Sequence, residues 1–289
     1  TAEGSLTAEF DEAMRRFPGP FVLNIGESRL SDEGLKQVAR LEKLRGINVE
    51  LCHALTDTGF ADLAAAKQLR VLFAMGTGIG PAGLKPLASL PQLTALDLEV
   101  CDRITDSACE VLSEFSQLRA LNLKKTAFEP MRITPVGIAN LAKLARLETL
   151  NLYANDVTDE SLINVGKLAL LKDLDLSLTG ITDQGLVHLR PLNELRHLHL
   201  LYAVGFAGPT ITDVGLPALK AFPQLETIDL TGSGITDTAF QQFADLTSLR
   251  RLELAKTRVT PGGIRKFQSD HPKVLVRSSD DKEPNAPSP

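Results

Sequence analysis

Two short runs hold the residues best suited to chemistry in this 289-residue chain, Asp173-Leu174-Asp175 and His197-Leu198-His199. Side chains alternate faces along an extended segment, so both acids share one face of the first run and both imidazoles share one face of the second. If the runs lie side by side as parallel strands about 4.8 Å apart, Asp173 meets His197 and Asp175 meets His199. Such a patch admits three chemistries. Imidazole nitrogens with carboxylate oxygens can hold a metal or small ligand, and His199 with Asp175 can act as a hydrolytic acid–base pair. Amphipathic side chains of this kind also suit a surface that grips another protein. The last is the expectation, because exposed polar groups on stacked repeats most often serve binding and hydrolysis needs a closed, water-excluding pocket. No catalytic residue, metal ligand or cofactor is assigned, and the chain is expected not to be an enzyme.

What would bring the two runs together is a repeat. From Leu171 to Leu195 the chain reads LKDLDLSLTGITDQGLVHLRPLNEL: Leu174 and Leu176 alternate with polar residues as on a half-buried strand, then Leu186 and Leu189 recur at helical spacing. Between them, the Thr182 hydroxyl can accept the first free N–H groups of the helical arc, and Asp183 favours its positive end. The pattern returns at roughly 24-residue spacing. Its strand pairs are Leu23/Ile25, Ile47/Val49, Leu96/Leu98, Leu121/Leu123, Leu150/Leu152, Leu174/Leu176, Leu198/Leu200, Ile228/Leu230 and Leu252/Leu254. A copy at Leu72/Phe73 departs from alternation, with Ala74 where the second core residue should stand, and Val276 opens an incomplete last copy.

Threonine or serine fills the cap slot in all but one copy, where Gly80 stands. The following slot holds Asp32, Asp57, Asp106, Asp159, Asp183, Asp213 and Asp237, or else Pro81, Pro135 and Pro261. Aspartate and proline are chemically unlike, but both suit the first helical position, so the aspartates read as helix starts rather than catalytic acids. Two positions further on, glycine or another small residue lets each arc lie close to its neighbour. Such a chain is a solenoid, which grows by stacking and needs no second core.

With 43% apolar residues and a net charge of −5, the composition argues against an electrostatic nucleic-acid binder, and no apolar run is long enough for membrane insertion. Cys52, Cys101 and Cys109 are too few and too scattered for a disulfide framework and read as buried thiols. Residues 1–19 are expected to form a capping helix, with Phe10, Met14 and Phe17 of its Thr7–Phe17 stretch on one side to cover the first coil. Residues 20–277 are the solenoid, and 278–289 are a polar, proline-rich tail read as disordered or a linker. The chain opens on Thr1 with no charged-then-apolar leader, which suggests a processed or trimmed product.

Length varies in only one loop of the repeat, between strand and cap slot. Two insertions stand out there, 127–132 and 204–210, carrying Phe128 and Phe206. Corresponding loops of stacked coils line one rim, so both should project beside the concave sheet. Three strand spacings, on the order of 15 Å, separate their parent strands. The Asp/His patch falls between them, flanked by Tyr153 and Tyr202, the only tyrosines. The candidate partner-binding set is therefore Tyr153, Asp173, Asp175, His197, His199, Tyr202, Phe128 and Phe206.

The pattern L-x-x-L-x-L, then a small polar residue or cysteine, then I-T-D-x-G-L-x-x-L resembles leucine-rich repeat proteins. It is most similar to the cysteine-containing class found in ubiquitin-ligase substrate receptors and many bacterial proteins, and the resemblance covers roughly Pro20 to Arg277. It implies an α/β fold, a right-handed solenoid or horseshoe with a parallel sheet on the concave face and short helices on the convex face. It also implies a non-enzymatic protein-recognition scaffold that binds a protein or peptide on that concave face.

Overall fold

The computed structural model describes residues 4–125, 133–202 and 211–278. Phe128, Phe206, both inserted loops and the tail from residue 279 lie outside the described residues. Two compact units are present, Thr1–Asp156 and Val157–Pro289.

In the first unit, helix α1 (Ala8–Arg16) precedes six coils whose strands are β1 (Phe21–Asn24), β2 (Leu44–Asn48), β3 (Val71–Phe73), β4 (Ala95–Asp97), β5 (Ala120–Asn122) and β6 (Thr149–Asn151). They pair in chain order, all parallel. Helices α2 (Asp32–Val38), α3 (Asp57–Asp62), α4 (Pro81–Leu87), α5 (Asp106–Leu112) and α6 (Pro135–Leu141) return the chain between strands. The second unit repeats the plan with β7 (Asp173–Asp175), β8 (His197–His199), β9 (Thr227–Asp229), β10 (Arg251–Glu253) and β11 (Leu275–Arg277). Its arcs are α7 (Leu162–Val165), 3₁₀ turns at Leu186–Leu189 and Leu216–Ala221, α8 (Ala239–Phe243) and α9 (Pro261–Asp270). No described helix is long and apolar enough to cross a membrane.

The leucines of the repeat are the core. Leu174, Leu176, Leu186, Leu189, Leu198 and Leu200 are at most 1% exposed, and each such burial stabilises by about 1.5–3 kcal/mol. The third coil keeps the alternation that its sequence was read as breaking. Leu72 and Ala74 are the buried pair and Phe73 lies outward, 39% exposed, because strand pleating fixes faces by parity whatever the residue's hydrophobicity. All three cysteines are buried thiols.

The aspartates do more than begin a helix. Asp183 accepts the Thr212 N–H at 2.8 Å and the Thr212 hydroxyl at 2.5 Å, so its carboxylate ties its own coil to the cap of the next. Asp32 to Thr56, Asp106 to Thr134, Asp159 to Thr182, Asp213 to Thr236 and Asp237 to Thr260 repeat both bonds. Glycine completes the set: a Cβ at Gly59, Gly137, Gly185, Gly215 or Gly263 would run into the carboxylate of the preceding coil. Threonine, aspartate and glycine of the repeat thus meet at one junction, each from its own physical requirement. At the first coil no aspartate precedes, and the Gly4 carbonyl takes its place, accepting the Ser31 N–H at 3.0 Å and lying where a Cβ on Gly34 would fall.

Candidate binding face

In the second unit the parallel register aligns Asp173, His197, Thr227, Arg251 and Leu275 in one row and Asp175, His199, Asp229, Glu253 and Arg277 in another. Leu174, Leu198, Ile228 and Leu252, between the rows, are wholly buried, so both rows face outward. The expected neighbours are in register: Asp173 stands across from His197 and Asp175 across from His199. Contact within the first pair is loose, with His197 Nε2 4.0 Å from Asp173 Oδ1, a separation at which neither group fixes the other.

The second row divides its labour. Asp175 Oδ1 accepts the Ser177 N–H and Asp229 Oδ1 the Thr231 N–H, both at 2.9 Å, short Asx turns that pair the backbone where it leaves the strand. Asn24, Asn48, Asp97, Asn122 and Asn151 do the same in the first unit, so the acid/amide preference of this column is structural before it is functional. The His199 imidazole has no such duty and no hydrogen-bond partner among the described residues. An open groove of about 490 Å³ runs along the first row, lined by Asp173, His197, Thr227, Arg251 and Leu275 with His199 alongside. No three His, Cys, Asp or Glu side chains are grouped to hold a metal ion among the described residues.

Tyr153 lies in the first unit, half-buried, with the Lys124 ammonium 5.4 Å from its ring centroid. Lys124 also pairs with Glu99 at 2.9 Å, and Asn122 Nδ2 donates to Glu99 Oε2 and to both oxygens of Asp97. Burial pushes the Asp97 carboxyl up from its ordinary range; the Glu99 N–H and Asn122 oppose this, and the charges of Glu99 and Glu50 add to it. Tyr202 is differently placed. Its hydroxyl donates to the Ile181 carbonyl at 3.1 Å, and burial, reinforced by Asp183 and Asp159, raises its phenol well above the usual value. The ring is a post between coils rather than a free aromatic.

No curated protein matches the chain significantly in sequence. The family described as Leucine Rich repeat matches residues 167–189, the segment that contains β7 and the arc after it. Among solved structures, an internalin (inlF) from Listeria monocytogenes is similar over 90% of this chain and 67% of its own, with TM-score 0.65 and 20% identity. Rad7, solved in the yeast Rad7–Elc1 complex, is similar over 95% of this chain and 82% of its own, with TM-score 0.55 and 19% identity. The chain has the leucine-rich repeat fold.

Each leucine-rich repeat here turns sharply after its strand, and non-glycine residues Glu27, Leu51, Val100, Ala154, Leu178 and Lys256 hold left-handed φ of 54–57° at that turn. Lys125 and Tyr202 stand in the same slot, two residues ahead of the two inserted loops, and both point inward. Lys125 is fully buried and its ammonium donates to the Cys101 carbonyl of the coil before. The repeat pattern marks neither Lys125 nor Tyr202 for burial; the usable signal is position, since each stands two residues before an insertion. Asn155 stands just past β6, in the slot where a small polar side chain can bond the unpaired backbone of adjacent loops. It is buried and clamps the repeat, accepting the Ile133 N–H at 3.0 Å and donating to the Leu123 and Leu152 carbonyls. Cys52 and Cys101 fill that slot elsewhere and donate to the Ile25 and Ala74 carbonyls at 3.3 and 3.1 Å, as expected of a small polar residue that satisfies adjacent backbone.

Proposed function

We propose that this leucine-rich repeat protein is a recognition scaffold that holds a protein or peptide partner against the exposed face of its sheet. One observation carries the reading: the outward rows in the second unit present half-exposed His, Asp, Arg and Thr side chains along an open groove. An open, polar, partly desolvated row offers many weak contacts to a long partner, whereas a small substrate would be poorly enclosed. Asp173, Asp175, His197 and His199 supply the contacts in the second unit, Tyr202 supports their coil from inside, and Tyr153 is a proposed contact on the first unit's own face. Phe128 and Phe206, in the two insertions, are proposed as further partner contacts. Leucine-rich repeat proteins typically bind other proteins without catalysis of their own, and Rad7, a similar fold, was solved in a complex with Elc1.

The test is affinity capture from native extract with the intact protein, a His197→Ala/His199→Ala variant, and a Val187→Glu control on an outer arc. The expected result is a partner retained by the intact protein and the control but depleted with the double variant. A partner held equally by all three moves the site off this face.

A further inference from the structure

The groove of the second unit carries two charges that nothing nearby neutralises. Glu226, at its edge, is taken by Arg196 at 3.3 Å, Arg250 turns its guanidinium to the Leu249 carbonyl at 3.0 Å, and Arg277 leans toward Glu253 at 3.8 Å. The first row differs. The Asp173 carboxylate has only the loose His197 contact, with its side chain 43% exposed, and the exposed Arg251 guanidinium has no ion-pair or hydrogen-bond partner among the described residues. One end of the row is therefore an open carboxylate and the other an open guanidinium, with the His197 ring and the Thr227 hydroxyl between them and the exposed Leu275 beyond Arg251.

The separation has a length that a peptide can match. Asp173 and Arg251 are three strand spacings apart in register, about 14 Å. Four residues of extended chain span about 13 Å, and residues i and i+4 of an extended segment point the same way. Building on the proposed use of this face, we infer that its ligand is an extended peptide segment lying across β7–β10 and presenting a basic side chain to Asp173 and an acidic one to Arg251, four residues apart. The Thr227 hydroxyl and the His197 ring meet the side chain or backbone between the two charges. Leu275, one strand spacing beyond Arg251, receives an apolar residue two positions past the acidic one, on the same face of the peptide. A uniformly acidic or basic partner gains one pair and meets a like charge at the other end, a penalty in specificity rather than merely a missing contact. Since reversing the peptide's direction exchanges the two ends, spacing and opposite sign are the recognised features, not their order.

The probes are fluorescein-labelled nine-residue peptides in a Gly/Ser background ending in leucine, with Lys and Glu at i, i+4, compared with Lys/Lys, Glu/Glu and Gln/Gln at the same positions and with Lys and Glu at i, i+2. Binding is read by anisotropy at low salt. The wild-type protein is expected to bind the Lys/Glu i, i+4 peptide about three- to tenfold more tightly than every other probe, the range of one or two partly exposed ion pairs. Arg251→Glu should transfer the preference to Lys/Lys and Asp173→Lys to Glu/Glu, which a merely unfolded variant cannot do. Equal binding of all peptides, no binding to wild type, or preferences that ignore the two charge swaps would overturn the inference. A native partner lost in His197→Ala/His199→Ala but indifferent to both swaps would leave the binding face standing and remove this ligand.

Discussion

The Arg103 guanidinium lies 2.6 Å from Asp57 Oδ2, the carboxylate oxygen that at other junctions receives a threonine hydroxyl. Asp57 reaches the following coil at Gly80, whose N–H it accepts at 2.6 Å but which has no hydroxyl to offer. Arg103 comes from one coil further on, also donates to the Gly78 carbonyl at 3.0 Å, and occupies the space that a Gly80 side chain would need. A repeat that breaks its own rule has been repaired by a residue from elsewhere. Arg103→Ala should cost about 1 kcal/mol, a charged hydrogen bond discounted for its half-exposed guanidinium. Gly80→Thr alone should also destabilise, through the clash. Together, Gly80→Thr/Arg103→Ala should recover most of the loss by restoring the threonine junction; urea midpoints that simply add would refute the repair.

Glycine at the junction is there for the carboxylate. Gly215→Ala drives a Cβ into Asp183 Oδ1 and should cost about 1–3 kcal/mol, the usual range for overpacking. Introduced into an Asp183→Gly background, the same change should cost far less. Gly19→Ala, which meets nothing within 4 Å, is the control. If Gly215→Ala costs as much without the carboxylate as with it, backbone conformation and not space explains the glycine.

Two acids should respond to acid in opposite senses. Burial raises the Asp213 carboxyl, but the Thr236 hydroxyl and N–H and the Thr238 hydroxyl outweigh it and hold the group below its ordinary value. A lowered folded-state value means that Asp213 contributes stability above the unfolded value near pH 4, and loses it as pH falls through the folded one. Asp97 is raised, so its ionised form disfavours the fold above the raised value, and that cost fades as pH falls toward the unfolded value. Relative to Asp213→Asn, the wild type should lose its advantage between pH 5 and pH 2.5. Relative to Asp97→Asn, it should improve on acidification. Chemical denaturation of the three proteins across that range decides the matter, and parallel curves would contradict both assignments.

The thiols should be silent. Burial, with Asp106 nearby, pushes Cys109 up to about 12, and burial also raises Cys101 against the pull of the Thr77 N–H and hydroxyl. Thiolate is the reactive form. Ellman's reagent at pH 8 should therefore find less than one thiol per folded chain and three in guanidinium; rapid native labelling would mean that a coil opens.

Much of the fold could be read from the chain because a coil's strand and arc are set by local period: Leu174, Leu176, Leu186 and Leu189 each announce their face. Register followed, and with it the alignment of Asp173 with His197. What could not be read were relations between coils that leave no mark within one. Asp183 was credited to its own helix start, although its bonds go to Thr212, 29 residues later. Arg103 has no periodic counterpart, so nothing in the repeat announced its pairing with Asp57. At the binding face, the split of the aspartate column into backbone caps and open groups depends on which oxygen is already engaged, and composition is blind to that.

All seven slot aspartates reach toward the coil that follows, and this gives the protein a grain. Like shingles, the layers overlap in one direction only, so harm done at one is felt first by its successor, whose threonine loses its anchor while the damaged coil keeps the grip of its predecessor. Pro81 sits where such a reach would begin, and Thr105 beyond it makes no cap bond through its side chain. Arg103, bonded back to Gly78 and Asp57, spans that seam in place of the missing aspartate, so the first unit should begin to part there once Arg103 is removed.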